Sequence, residues 1–153
     1  MLTDQEKKIV DNSYWEPAPH PFAWYGTRRM RSTGLGLAPG GKSLPLDELP
    51  DWSPEDIHKY PLVWLNPVTG QKGFQVMPET VRKLYLKDSP DSVERIVDDI
   101  EDIRLWLNNI FDRILSPEYI LIPPLDEGDM VVWNNWVRQA QLGTMSPQII
   151  DLI

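Results

Sequence analysis

Residues 36–43 read GLAPGGKS and match the phosphate-loop pattern, a glycine-rich turn closed by Lys42 and Ser43. Such a loop cradles phosphate only between a strand and a helix, because loop amides and the helix N-terminus act together. Here residues 44–50 (LPLDELP) follow, and Pro45 and Pro50 leave no room for a proper helix start. The preceding TRRMRSTGLGL is not an apolar strand. The segment therefore reads as a flexible glycine loop rather than a nucleotide site.

The other residues able to carry chemistry are scattered. The two histidines are His20, between prolines in PAPHPF, and His58, two residues after Asp56. A spacing of two points side chains to different sides of a helix, so Asp56 and His58 make a poor chelating pair, and no third ligand suggests itself. Both histidines read as surface or packing residues. Arg28, Arg29 and Arg31 lie beside Trp24 and Tyr25. Basic and aromatic residues together can contact nucleic acid or an anionic ligand, but in an acidic chain a salt-bridged surface patch is the better reading. Glu94, Asp98, Asp99, Glu101 and Asp102 read as a solvated helix face, not as an acid–base pair.

The elements that would position these residues are short, with one exception. Residues 1–12 suggest a short helix. Residues 13–22 (SYWEPAPHPF) should be irregular or extended. Ser53-Pro54-Glu55-Asp56 reads as a cap, a proline at the first helical position and an acidic first turn. Residues 62–65 and 73–76, with the turn Asn66-Pro67-Val68-Thr69-Gly70 between them, read as a β-hairpin. The exception is a predicted long amphipathic helix over residues 89–115. There Ser89 caps and Val93, Ile96, Val97, Ile100, Ile103, Leu107, Ile110, Phe111 and Ile114 fall at helical spacing. Residues 119–122 and 130–133 (MVVW) are strand candidates, the second buried on both faces. After Trp136, residues 137–153 show neither a clear strand nor a long helix.

Composition narrows the class. Hydrophobic residues make up 41% of 153, enough for one core. Fifteen prolines argue against a helical bundle. The seven tryptophans should mostly be core or pocket wall. A net charge of −8 gives no general attraction for nucleic acid or anionic membrane, so neither is expected as a partner. The absence of Cys removes disulfides, thiolate zinc sites and cysteine nucleophiles. The charged N-terminus MLTDQEKKIVDN has no apolar stretch of signal-peptide type, and no apolar run approaches the ~20 residues a membrane span needs. The expectation is a cytoplasmic protein.

Three landmarks in order carry a resemblance: residues 61–76 (PLVWLNPVTGQKGFQV), residues 114–122 (ILSPEYILI) and residues 127–136 (EGDMVVWNNW). Together they resemble the second half of the taurine dioxygenase family of Fe(II)/2-oxoglutarate oxygenases. RKLYLKDSP, WNNW and APHPF are most similar to its fungal xanthine dioxygenase branch. The resemblance implies a double-stranded β-helix, or jelly roll. It also implies Fe(II) held by a His-x-Asp/Glu pair and a distant His, with open positions for 2-oxoglutarate and oxygen. The implied reaction couples oxidative decarboxylation of 2-oxoglutarate to hydroxylation of a small molecule, with xanthine the suggested substrate.

The chain departs from that pattern. It contains no His-x-Asp/Glu triplet, and no His follows His58. An ungapped reading puts the distal ligand position at Ala140, and the arginine that would pair with 2-oxoglutarate has no counterpart, since Arg138 comes too early and none follows it. No catalytic, cofactor-binding or metal-binding residue is carried over. The expectation is an α+β fold: a partial jelly roll with one long packed helix and a loop-rich N-terminal part. Its divisions are an irregular segment (1–59), the C-terminal part of an oxygenase domain (60–136) and a divergent tail (137–153). Such a piece is expected to be inactive as an oxygenase and prone to self-association through exposed sheet edges. The alternative is a non-catalytic interaction module that retains half the fold.

Overall fold

The computed structural model describes residues 2–32, 36–114, 116, 120–121, 124–130, 132, 138–142 and 147–151. The fold is α+β, with three helices and nine strands among these residues. Helix α1 (Asp4–Asp11) forms within the expected span 1–12, and it starts at Asp4 because Thr3 and Glu6 form a reciprocal capping box. Arg113 grips the Glu6 carboxylate with both terminal nitrogens and, as the largest cause, holds it at about 2.

Strand β1 (Tyr14–Pro17) follows, then the single turn α2 (Pro21–Trp24), where the sequence suggested only irregular or extended chain. Ser53 caps a 3₁₀ turn at Pro54–Asp56, as its sequence predicts. β2 is Tyr60–Pro61. The expected hairpin forms from β3 (Val63–Leu65) and β4 (Lys72–Phe74). Its turn is closed by the Asn66 side chain, which accepts from the Val68 and Thr69 amides. A 3₁₀ turn at Pro78–Thr80 leads into β5 (Val81–Leu86), and β6 (Arg95–Val97) pairs back on it. The main sheet is antiparallel, in the order β2-β1-β5-β6.

The predicted helix over 89–115 is half right. Helix α3 spans Ile100–Ile114. Residues 95–97 form the edge strand β6 instead, and Ser92 Oγ accepts from the Asp88 and Ser89 amides to close a turn before it. The helix cap is Asp99, whose carboxylate accepts from the Glu101 and Asp102 amides at 2.9 Å each. β-branched Ile96 and Val97 gain a ladder opposite Tyr85 and Leu84.

α3 packs Ile103, Leu107, Ile110, Phe111 and Ile114 on Val81, Leu84 and Leu86 of β5, with Trp15, Leu62, Phe74 and Val76 completing the core. A smaller cluster of Ala18, Trp24 and Leu49 sits beside it, edged by Tyr25 and Trp52. Trp15 and Trp24 are thus core, as expected, whereas Trp52, Trp64 and Trp106 are half-buried.

Two expectations for the C-terminal third fail. Met130 and Val132 are 86% and 85% exposed and lie in no strand, so the doubly buried strand is absent at those positions. Residues 137–153 were expected to lack strands, yet β8 (Arg138–Leu142) and β9 (Pro147–Asp151) form a ladder, and β7 (Ile120–Leu121) pairs with β9. Gln-rich β8 carries little strand signal of its own, and its pairing with β9 is tertiary. Trp133 and Trp136 lie outside the described residues.

Candidate functional site

The main sheet has two unlike faces. By register, Trp15, Leu84 and Val97 lie on the face covered by α3, and Tyr14, Glu16, Lys83, Tyr85 and Ile96 lie on the other. A single irregularity changes what the second face holds. Glu16 pairs with Lys83 but Pro17 pairs with Val81, so Arg82 is an extra residue in β5, a β-bulge. In an unbroken strand Arg82 would alternate onto the face of Leu84 and meet the core. The bulge instead turns it onto the side of Glu16. Pro17 occupies the other side of the irregularity, where a missing N–H is tolerated.

Glu16 is the hub of this face and is buried. One carboxylate oxygen takes a charge-assisted hydrogen bond from Arg82. The other accepts from the Tyr85 hydroxyl at 2.6 Å. Burial first, and this bond second, push the Tyr85 phenol up to about 12, so it is a neutral donor at any physiological pH. Lys59 Nζ sits 3.3 Å above the Tyr85 ring and 3.7 Å from Glu94. The face is thus a preorganised hydrogen-bonded network, suited to orienting a polar ligand. Each oxygen of the Glu16 carboxylate thus already accepts one hydrogen bond.

A second charged centre holds the turn into β5. Arg104 of α3 is buried and donates to the carbonyls of Pro78, Glu79 and Val81. Its guanidinium also lies 5.7 Å from the Trp24 ring. Glu79 is buried beside it, and its Oε2 has no partner among the described residues. Burial raises the Glu79 carboxyl above its ordinary value of 4.5. For an acid raised in the folded state, the stabilising contribution is full below the unfolded value and is lost as pH rises through the folded one. Glu79→Gln should therefore raise the melting temperature at pH 7 and leave it nearly unchanged at pH 4. Equal shifts at both pH values in thermal scans would refute the assignment.

The residues singled out by sequence do not converge. Gly40 and Gly41 adopt φ of 82° and 73°, and no helix begins after the loop, only a 3₁₀ turn at Leu46–Glu48, so the phosphate-loop pattern builds no phosphate cradle. Two of the three arginines are salt-bridged, Arg28 to Glu101 at 2.9 Å and Arg31 to Asp112, but the Arg28 side chain is buried rather than on the surface, and Arg29 makes no ion pair among the described residues. The carboxylates read as a solvated face are partly engaged, through the Asp99 cap and the Glu101 and Glu94 ion pairs. His20 adopts a left-handed φ of 44° before α2, with Nε2 3.2 Å from the Asp51 carbonyl. His58 is exposed near β2. Ala140 and Arg138 lie in β8.

A facial triad needs two imidazoles and a carboxylate around one point. Among the described residues no three His, Asp or Glu side chains are grouped to hold a metal. The described residues do not assemble an Fe(II) site of that kind. Sequence reasoning missed Glu16, Arg82, Tyr85 and Arg104; the only signals were a Glu in an aromatic strand and an Arg on the apolar stripe of a helix.

No helix among the described residues is long and apolar enough to cross a membrane. No family model matches the chain, and no solved structure matches it. Curated relatives do. It is 38% identical over 139 residues to the alpha-ketoglutarate-dependent dioxygenase bsc9 of Alternaria brassicicola, covering 89% of this chain and 35% of that protein. Identity to the alpha-ketoglutarate-dependent dioxygenase fc-dox of Phomopsis amygdali is also 38%, with the same coverage. The alpha-ketoglutarate-dependent xanthine dioxygenase xan-1 of Neurospora crassa is 34% identical over 135 residues, covering 88% of this chain and 31% of that protein. The chain is therefore a homologue of the alpha-ketoglutarate-dependent dioxygenases, and it spans about a third of the length of these relatives.

Proposed function

We propose that this chain carries part of the scaffold of an Fe(II)/2-oxoglutarate-dependent oxygenase that hydroxylates a small molecule, with xanthine as the leading substrate, and that the chain by itself is inactive. The observation that supports this most directly is a mismatch. Identity of 34–38% over 88–89% of the chain speaks for descent from dioxygenases. Yet neither His20 nor His58 joins two further ligands among the described residues. In this reading the four-stranded sheet with α3 on one face is a part of the double-stranded β-helix. Residues 60–136 are its C-terminal portion, the segment 1–59 contributes β1 to the same sheet, and 137–153 is a divergent tail. The Glu16–Arg82–Tyr85 face would help to shape a chamber, and Fe(II) and 2-oxoglutarate would depend on ligands that these residues do not assemble. The open edges β2 and β6 are where self-association would start.

An anaerobic titration of the chain with Fe(II) and 2-oxoglutarate tests this. The expected result is no visible charge-transfer band of the metal–cosubstrate chelate. A band saturating at one iron per chain would sink the proposal and direct attention to His20, His58 and their neighbouring carboxylates.

A further inference from the structure

We infer that residues 24–32 and 36–44 form a two-armed strap, latched onto α3 by ion pairs, that lifts from the helix as one piece while the sheet stays folded. The arms make an irregular antiparallel ribbon. Thr27 donates to the Lys42 carbonyl at 3.1 Å, Ala38 to that of Arg29 at 2.8 Å and Leu44 to that of Trp24 at 2.8 Å. Met30 and Leu37 form a bridge between the arms. Arg28 Nε donates to Ser43 Oγ at 3.0 Å, and Gly41 packs so closely on the Arg28 backbone that a β-carbon would collide with it. These backbone bonds run from arm to arm, so the ribbon keeps them whether or not it touches α3.

The root of the strap is fixed, because Trp24 is buried with Ala18 and Leu49. Just beyond it, Gly26 and Gly41 hold left-handed φ of 57° and 73° and supply a pivot. Past the pivot the grip on α3 is mostly polar. Arg28 pairs with Glu101 at 2.9 Å, Arg31 pairs with Asp112, and Asn108 Nδ2 donates to the Leu37 carbonyl over 3.4 Å. Leu37 is buried here, outside both apolar clusters. Glu101 and Asp112 are exposed, so salt weakens both pairs. Two buried atoms of the seam, Arg31 Nη1 and Asn108 Oδ1, have no partner among the described residues. Both regain water when the strap lifts, which offsets part of the lost ion pairing. Gly36 sets how closely the strap seats, since a β-carbon there would lie 2.7 Å from Asn108 Oδ1.

The chain has no Cys, so paired spin labels can be placed without background. One pair, Ser32→Cys with Asn109→Cys, spans strap and helix. A reference pair, Arg95→Cys with Asn109→Cys, spans sheet and helix; all three positions are exposed. Distances are read by pulsed dipolar spectroscopy in sodium chloride from about 0.01 M to about 1 M, over which the screening length falls from ~30 to ~3 Å. The strap pair should show a short distance and a second, longer one whose share rises at least about threefold with salt, while the reference pair stays single. At low salt, Arg31→Gln and Gly36→Ala should each raise the longer share, the second without touching any charge. Arg113→Gln, which breaks the α3 ion pair to Glu6, should leave it unchanged. Should a variant fail to fold, the salt series on the labelled chain decides. A strap distance that stays single and short across the salt range, a reference distance that spreads to the same degree, or an equal response to Arg113→Gln would each overturn the inference.

Discussion

Replacing Arg104 by methionine is expected to lower the stability of the chain by about 3 kcal/mol, a large share of the ~5–15 kcal/mol that holds a domain together. Two opposed effects set this loss. Burial disfavours the charge and lowers the Arg104 guanidinium to about 10, so an apolar side chain of similar length recovers some desolvation. Against this stand three carbonyls, of Pro78, Glu79 and Val81, that accept from one guanidinium. Each charge-assisted bond contributes roughly 1.5–3 kcal/mol, and each buried carbonyl left bare costs about 1–3 kcal/mol, so the hydrogen bonds win. Lysine keeps the charge but cannot fork to three acceptors, and Arg104→Lys should recover only part of the loss. Val81 immediately precedes the bulged Arg82, so the methionine variant should also shift the Arg82 Nε–H resonance. A denaturation midpoint within about 0.5 kcal/mol of wild type would show that water or a shifted turn replaces the guanidinium.

That role was not legible in the sequence, for a physical reason. Arg104 sits one residue after Ile103 and three before Leu107, so its position was visible, but an arginine on an apolar stripe normally carries its head to solvent. Only the 3₁₀ turn at Pro78–Thr80, brought over by the sheet, explains why it stays in. Glu16 and Arg82 were hidden in the same way: they are 66 residues apart, and a bulge has no local signature in VRKLYL. By contrast, the hairpin around Asn66 and the cap at Ser53 were legible, because a few adjacent residues satisfy their own backbone there. The resemblance to dioxygenases rested on three ordered motifs and is matched by the relatives; the metal site had no motif to read.

The long amphipathic segment shows where periodicity succeeds and where it misleads, and one pair of substitutions separates the two. Phe111 is fully buried and meets Phe74 at a ring distance of 5.9 Å. Phe111→Ala should cost about 3–5 kcal/mol, since the rigid sheet on the far side cannot collapse into the cavity. Val93 belongs to the same helical stripe when the sequence is read alone, and on that reading Val93→Ala would cost about 1–3 kcal/mol. In the fold Val93 is 92% exposed, in irregular chain between the Ser89–Ser92 turn and β6, so the change should stay within about 0.5 kcal/mol. The difference arises at Asp99. Its carboxylate takes the first free amides of α3 and starts the helix there. Upstream, the β-branched residues of β6 pair with β5 rather than extend the helix backwards. Chemical denaturation of the two variants side by side reads the phase directly: a large loss in Phe111→Ala with none in Val93→Ala fits a helix beginning at Ile100. Comparable losses in both would restore the longer helix and remove β6 from the sheet.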